Sequence, residues 1–258
     1  MTLLSIVVPT YNRVDLLRQT VASALAQDYD DCEVVIVDDA SDDASWDYLS
    51  GLTGVRAFRN PIRLGLAANW NRAISLSRGD YVLILQDDDL AEPNLVSRLA
   101  AEAGPELICF AMCLIDAEGA NAEMYWQSER RLLEVPDGLL EYATGPLFSS
   151  TQLFFRRSVF DRLGGMDETF PIGSDAEMIM RWLLTCPLLV LPDVLTRRRR
   201  WDGSTSAAIQ GTPVMSDTMR ALISSISSRA LHTLSSEQYR TLQESMHASF
   251  WVPYVIGD

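Results

Sequence analysis

Along the first half of the chain, short apolar runs alternate with stretches whose apolar positions recur at helical spacing. Residues 3–8 read as a strand, and residues 15–26 as a helix with Leu16, Leu17, Val21, Ala24 and Leu25 on one arc. Residues 34–37 form a wholly apolar strand of the kind buried on both faces. A short helix over 45–52, a strand over 55–59 and a helix over 66–77 follow. A strand over 81–85, a helix over 93–103 and a strand over 107–114 complete the pattern. Repeated strand–helix alternation predicts right-handed crossovers, hence an α/β fold with a mostly parallel central sheet flanked by helices.

After Asp116 the regularity weakens. Residues 117–150 mix Gly, Pro and charges around an amphipathic stretch at 132–142, the character of an irregular insert that walls a site. A strand over 152–155, a helix over 176–185 and a strand over 188–191 restore the pattern. The tail over 216–248 reads as two helices, the second opened by the N-cap candidates Ser235 and Ser236. There is no internal repeat, so the chain divides into one domain over 1–210 and a helical C-terminal extension over 211–258.

Composition narrows the classes. A formal net charge of -14 disfavours a nucleic-acid protein, and the basic run at 197–200 is too short to reverse that. Cys32, Cys109, Cys113 and Cys186 form no Cys-x-x-Cys, and only His232 and His247 could join them, which argues against a zinc cluster. Thiols in apolar stretches suit a reducing compartment. Residues 3–8, followed by Pro9, are too short and uncharged for a signal peptide. The longest apolar run, 107–115, falls short of the roughly 20 residues that a membrane span needs. The expectation is a cytoplasmic protein, with peripheral contact at the inner face of a membrane left open.

In a parallel α/β sheet, ligands bind beyond the carboxyl ends of the strands. Here those ends carry Pro9-Thr10-Tyr11-Asn12-Arg13, Asp38-Asp39-Ala40-Ser41 and Gln86-Asp87-Asp88-Asp89. An acidic pair after a strand equally fits a helix cap or turn. Three adjacent carboxylates repel one another and call for a cation, with hard oxygen ligands favouring Mg²⁺ or Mn²⁺; a solvated loop capping the next helix is the alternative. No Gly-x-Gly-x-x-Gly and no Gly-Lys-Ser/Thr loop is present, which disfavours a dinucleotide enzyme or an NTPase.

These segments resemble family 2 glycosyltransferases. Besides the strand-end blocks, Asn60 with Gly65, Ala67 and Asn71, the run Arg78-Gly79-Asp80-Tyr81, and Pro93 resemble the family's opening. Phe155-Arg156-Arg157-Ser158, Gly164-Gly165-Met166-Asp167-Glu168, and Gly173-Ser174-Asp175 with Arg181 resemble its second half. The blocks keep the family's order and spacing over 3–206. The resemblance implies the GT-A fold, with a nucleotide-binding half over about 1–115 and an acceptor half over about 116–210. It implies an inverting transfer from a UDP- or dTDP-sugar, aided by Mn²⁺ or Mg²⁺, onto a glycan or lipid-linked acceptor in polysaccharide or glycoconjugate assembly.

By the same resemblance, Pro9, Tyr11, Asn12 and Arg13 line the nucleotide, with Tyr11 stacking on the base and Asp39 accepting its imide N–H. Asp87 and Asp88 occupy the metal-and-ribose motif, Asp88 as the direct metal ligand, with Asp89 beside them supporting the loop. Asp175 matches the catalytic base, although spacing alone would make it a cap of its helix. The chain departs from the family pattern at Gln86, where an acid is usual, and after the last strand. There, Arg199-Arg200-Trp201-Asp202-Gly203-Ser204 holds no histidine. Arg200, with Arg198 on the same face of an extended run, is the candidate replacement at the diphosphate; a solvated basic strand edge is the alternative. Trp70 and Trp182 are expected in the core, and Trp126 is a candidate sugar platform. A transferase-like module that holds nucleotide sugar without turnover is the competing reading. A sugar nucleotidylyltransferase would need a Gly-rich, basic loop that residues 9–13 lack.

Overall fold

A computed structural model describes residues 2–120, 123–124, 129–145, 148–170, 172–204 and 212–255. The first half follows the apolar pattern closely: β1 (Leu4–Thr10), α1 (Val14–Leu25), β2 (Cys32–Asp38), α2 (Ser45–Ser50), β3 (Arg56–Arg59), α3 (Leu66–Leu76) and β4 (Tyr81–Ile84). Then come β5 (Leu90–Ala91), α4 (Leu95–Ala100), β6 (Leu107–Ile115), β7 (Glu123–Met124), β8 (Arg131–Leu133) and α5 (Asp137–Ala143). A 3-10 turn (Ser150–Gln152) leads into β9 (Leu153–Arg156), α6 (Arg157–Leu163), α7 (Ser174–Leu183), β10 (Leu188–Arg199), α8 (Pro213–Ala230) and α9 (Ser236–Val255).

One sheet runs in the order β3-β2-β1-β4-β9-β6-β10-β5, with β7 on β6 and β8 on β10. The longest ladders are parallel, β1 with β2 and β6 with β10. Strand β9 is wedged antiparallel between β4 and β6, which are themselves not neighbours. Alternate residues of each central strand enter opposite cores. Val7 and Cys109 pack with α3, α5, α7, α8 and α9, whereas Ile6, Val8 and Phe110 pack with α1, α2 and α4. That two-sided burial explains why these strands read as unbroken apolar runs. Trp70 and Trp182 are buried in the first core as expected.

Several elements differ from expectation, among them the short strands β7 and β8 within the stretch read as irregular. Strand β10 continues to Arg199 because exposed Pro192 sits at a bulge, where its missing N–H breaks no ladder bond. Asp193 at the same bulge is gripped by Arg98, whose Nε and Nη2 donate at 2.9 and 3.0 Å. β5 is too short to leave a periodic signal, and α6 hides within a family block. The second tail helix starts as expected: Ser235 Oγ accepts from Gln238 N while Gln238 Oε1 accepts from Ser235 N, a reciprocal cap. Helices α8 and α9 join the first core through Leu222, Ile226, Leu242 and Met246.

Candidate active site

The loops after β1 and β2 are zipped together. Among the described residues, Asn12 and Ala40 are the non-glycine residues with positive φ, 53° and 57°, a conformation costing roughly 1–2 kcal/mol where a Cβ is present. It persists because neighbouring bonds fix it. Asn12 N donates to Ser41 Oγ at 2.9 Å, and Asn12 Oδ1 accepts from Asp42 N at 2.9 Å. Pro9 is buried within the β1–β2 ladder opposite Val37. Asp39 is buried and holds the next loop: its Oδ1 accepts from Asn60 Nδ2 at 2.7 Å and Leu64 N at 2.8 Å, and its Oδ2 from Gly65 N at 2.9 Å. That loop carries Arg63 over the half-buried Tyr11 ring, 4.0 Å from its centroid. The Tyr11 face is thus already used for cation–π stacking.

Beyond β4, the chain turns through Asp87, Asp88 and Asp89, all buried. Arg13 Nη1 bridges Asp87 Oδ1 at 2.9 Å and Asp88 Oδ2 at 3.0 Å. Asp88 Oδ2 also accepts from Trp201 Nε1 at 3.0 Å, and the Arg13 guanidinium lies 5.4 Å from the centroid of that indole. Asp89 Oδ1 accepts from Arg199 N at 2.9 Å, while its Oδ2 is buried without a partner. β5 pairs antiparallel with Thr196 and Arg197 of β10, which brings these segments together. Helix α1 braces the turn from below through Thr20 Oγ1, which donates to Asp89 O at 2.8 Å. Burial pushes Asp87 up to about 6 even with Arg13 beside it, and burial with the Asp88 charge pushes Asp89 up to about 8. Both carboxyls therefore sit where the charged form is poorly solvated, Asp89 the more so.

Asp175 stands in the first turn of α7. The N-cap of that helix is Gly173 in the left-handed conformation (φ 68°), with no side-chain cap bond. Asp175 therefore does not cap α7. Its Oδ2 accepts instead from Ser150 Oγ at 3.1 Å. Because β9 runs antiparallel to β4, the turn that precedes it lies at the carboxyl end of β4, so Ser150 and Asp175 share the sheet edge of the acidic turn. Buried Tyr142 of α5 is a further neighbour. Burial, then the Asp175 charge, push its phenol above the ordinary range, so it stays neutral there.

Arg181 holds the Gly164-Gly165 turn from α7, donating through Nη1 to Gly164 O at 3.1 Å and pairing with buried Glu177 at 3.0 Å. Gly164 has φ 78°, as a tight turn requires. Gly165 is required by close approach, since a Cβ there would lie 2.2 Å from Asn71 Oδ1.

The acidic turn suits a hard dication. Mg²⁺ and Mn²⁺ bind through one or two carboxylates, waters and substrate phosphates rather than an all-protein cage. Among the described residues, no group of three His, Cys, Asp or Glu side chains could hold a metal by itself. Asp88 Oδ1 accepts no hydrogen bond among these residues, and burial together with the neighbouring carboxylates raises Asp87 and Asp89, a cost that a bound cation would relieve. The residues present fit a cation completed by a diphosphate.

The structure brings Tyr11, Arg13, Asp39, Asp87, Asp88 and Asp89 to one sheet edge, with Asp175 beyond the 3-10 turn. Arg200 is exposed, and the run meets the acidic turn through Arg199 instead. Buried Arg199 donates from Nε to Asp88 O at 3.0 Å, from Nη1 to Ala117 O at 2.7 Å and from Nη2 to Gln19 Oε1 at 2.9 Å. Trp126 lies outside the described residues. Arg199, Trp201 and Ser150 were missed in the sequence. The only signal for Trp201 was its place in the segment where the family carries histidine.

Residues 5–164 match the family described as Glycosyl transferase family 2; Asp175 lies beyond that stretch. WcaA of Escherichia coli (strain K12), assigned as a colanic acid biosynthesis glycosyl transferase, is 33% identical over 163 residues, 61% of this chain and 54% of its own. A Campylobacter jejuni GalNAc(5)-diNAcBac-PP-undecaprenol beta-1,3-glucosyltransferase is 32% identical over 122 residues, 45% of this chain and 40% of its own. The chain spans about half the length, or less, of these curated relatives. The solved structure of S. aureus TarS 1-349 in complex with UDP superposes with a TM-score of 0.75 over 95% of this chain and 70% of that one. At 17% identity, that likeness is one of fold.

Proposed function

The chain belongs to glycosyl transferase family 2, and from that premise we propose that it moves a sugar from a UDP- or dTDP-sugar to an acceptor hydroxyl with inversion at the anomeric carbon. The observation that carries this reading is Asp175, released from helix capping and standing at the same sheet edge as the acidic turn. Tyr11 offers a stacking face to the base, with Asp39 behind it and Asn12 shaping the loop. Arg13, which bridges Asp87 and Asp88, and Arg200, exposed just beyond β10, are the proposed contacts to the donor phosphates.

Asp88, with Asp87 and Asp89 beside it, would hold Mn²⁺ or Mg²⁺. The bound dication supplies charge neutralisation where the departing diphosphate gains charge. Asp175 takes the proton of the acceptor hydroxyl as its oxygen bonds to the anomeric carbon. The bond from that carbon to the diphosphate oxygen breaks on the opposite side, its electron pair leaving with the nucleotide. A positioned base contributes roughly 10²–10⁴-fold to such a step.

Glycan or lipid-linked acceptors are the proposed second substrate, since one relative's name specifies an undecaprenol-linked substrate. Among the described residues, no helix is long and apolar enough to cross a membrane; cytoplasmic work at the inner membrane face is the proposed setting. Thermal stabilisation by a panel of nucleotide sugars with Mn²⁺, followed by transfer assays on the best binder, tests the reading. Stabilisation confined to UDP- or dTDP-sugars and activity abolished by chelator are expected. Preference for another base overturns the donor assignment, and full activity in excess chelator overturns the metal.

A further inference from the structure

We propose that Ser150 is a positioning residue for the Asp175 carboxylate, fixing one of its oxygens so that the other faces the acceptor hydroxyl. The proposal rests on the reading of Asp175 as the base.

The contact joins two elements that need nothing from each other locally. The 3-10 turn is complete without the Ser150 hydroxyl: Ser149 N donates to Gln152 Oε1 at 2.9 Å, Ser149 Oγ lies 2.8 Å from Thr151 Oγ1, and Gln152 Nε2 donates to Phe110 O at 2.8 Å. Helix α7 is complete without the Asp175 side chain, since Gly173 serves as its N-cap. What remains is a fully buried hydroxyl donating across to a half-buried carboxylate at 3.1 Å. Because the turn is anchored to β6 through Gln152, the donor is rigid, and a rigid donor selects one carboxylate rotamer.

A base receives its proton along a lone pair of one oxygen. An unrestrained carboxylate rotates about its χ torsions and presents that lone pair only part of the time. The Ser150 bond commits Oδ2 and leaves Oδ1 for the acceptor. A hydrogen bond to a charged group is worth about 1.5–3 kcal/mol, which as misplacement in the transition state corresponds to roughly 10- to 100-fold in rate.

The test is a double-mutant cycle of Ser150→Ala with Asp175→Asn, plus Ser150→Thr as the conservative rescue, each assayed for kcat, donor KM and stabilisation by UDP. Ser150→Ala is expected to lower kcat by about 10-fold or more. Donor KM and UDP stabilisation should stay within twofold, and Ser150→Thr should recover most of the rate. In the Asp175→Asn background, Ser150→Ala should cost less than twofold. A kcat within twofold of wild type for Ser150→Ala, beside an inactive Asp175→Asn, overturns the Ser150 role and leaves the base standing. Loss of UDP stabilisation with the rate, or an undiminished effect in the double variant, makes the hydroxyl a fold contact and overturns the proposal. An active Asp175→Asn enzyme overturns the base reading and the proposal with it.

Discussion

Asp88 and Asp175 lie at the same edge of the sheet, yet the chain grips them differently. Around Asp88 and Asp89, four residues from two distant segments converge: Arg13 and Thr20 from the β1–α1 loop and α1, and Arg199 and Trp201 from the end of β10 and just beyond it. Asp175 is held across its helix by one hydroxyl. The first arrangement keeps like charges buried together, which needs many donors. The second leaves a single carboxylate open on one side, which suits a group that must accept a proton and release it. Charge density calls for reinforcement, whereas proton transfer calls for access.

The largest effect expected from breaking this contrast is Asp175→Asn. Transfer should fall by roughly 10²-fold or more while UDP affinity stays within twofold, as read by single-turnover kinetics and calorimetry. If UDP binding is lost and saturating turnover kept, Asp175 belongs to the donor side. Asp88→Asn should also cost transfer roughly 10²–10³-fold, but together with donor affinity in Mn²⁺, because it removes charge from the reinforced region.

Arg199→Met tests reinforcement directly. It strips buried carbonyls of their donor and should destabilise the fold by about 3 kcal/mol in urea titration. A change below about 0.5 kcal/mol would show that the acidic turn stands without it.

The pH response is smaller and specific to the acidic turn. The Asp89 carboxyl is raised in the folded state to about 8, above its unfolded value of about 3.9. Its contribution to stability is therefore full below about pH 4 and is lost as pH rises toward 8. The metal-free protein should gain stability from this group when moved from pH 8 to pH 6, and Mn²⁺ binding at pH 7 should release protons. Calorimetry in buffers of different ionisation enthalpy reads that release; none would mean that the cation binds elsewhere. The smallest effect expected is Arg200→Ala, which as an exposed phosphate contact should weaken UDP binding two- to fivefold, roughly 0.5–1 kcal/mol. An unchanged affinity would leave Arg200 as strand-edge solubility.

The central strands were legible because burial on both faces leaves unbroken apolar runs, and the first four helices because one face alone is apolar. Asp87 to Asp89 were legible as a cluster, since adjacent acids after a buried strand are unusual in themselves. Arg199 was not. Which arginines of the run face inward depends on the register shifts between Leu191 and Thr196, and a bulge resets parity without a sequence mark. The continuation of β10 past residue 191 was not legible either, because the exposure of Pro192 at a bulge is a tertiary fact. Trp201 meets Asp88 across 113 positions, and Ser150 meets Asp175 across 25; neither pairing has a period to betray it.

The wedged position of β9 has a consequence for biosynthesis. As the chain emerges from the ribosome, β1, β2, β3 and β4 can assemble at once, but β4 has a bare edge until Leu153–Arg156 is translated. β6 is made earlier than β9 yet reaches the growing sheet only through it. A nascent chain stopped between Ile115 and Leu153 would therefore expose two unpaired strands rich in Val, Leu and Ile, the kind of edge that recruits other chains. The proposed nucleotide and acceptor halves thus share one sheet and are not separate folding units. Severing the gene between them would yield aggregation-prone fragments, while the intact polypeptide closes its sheet late and all together.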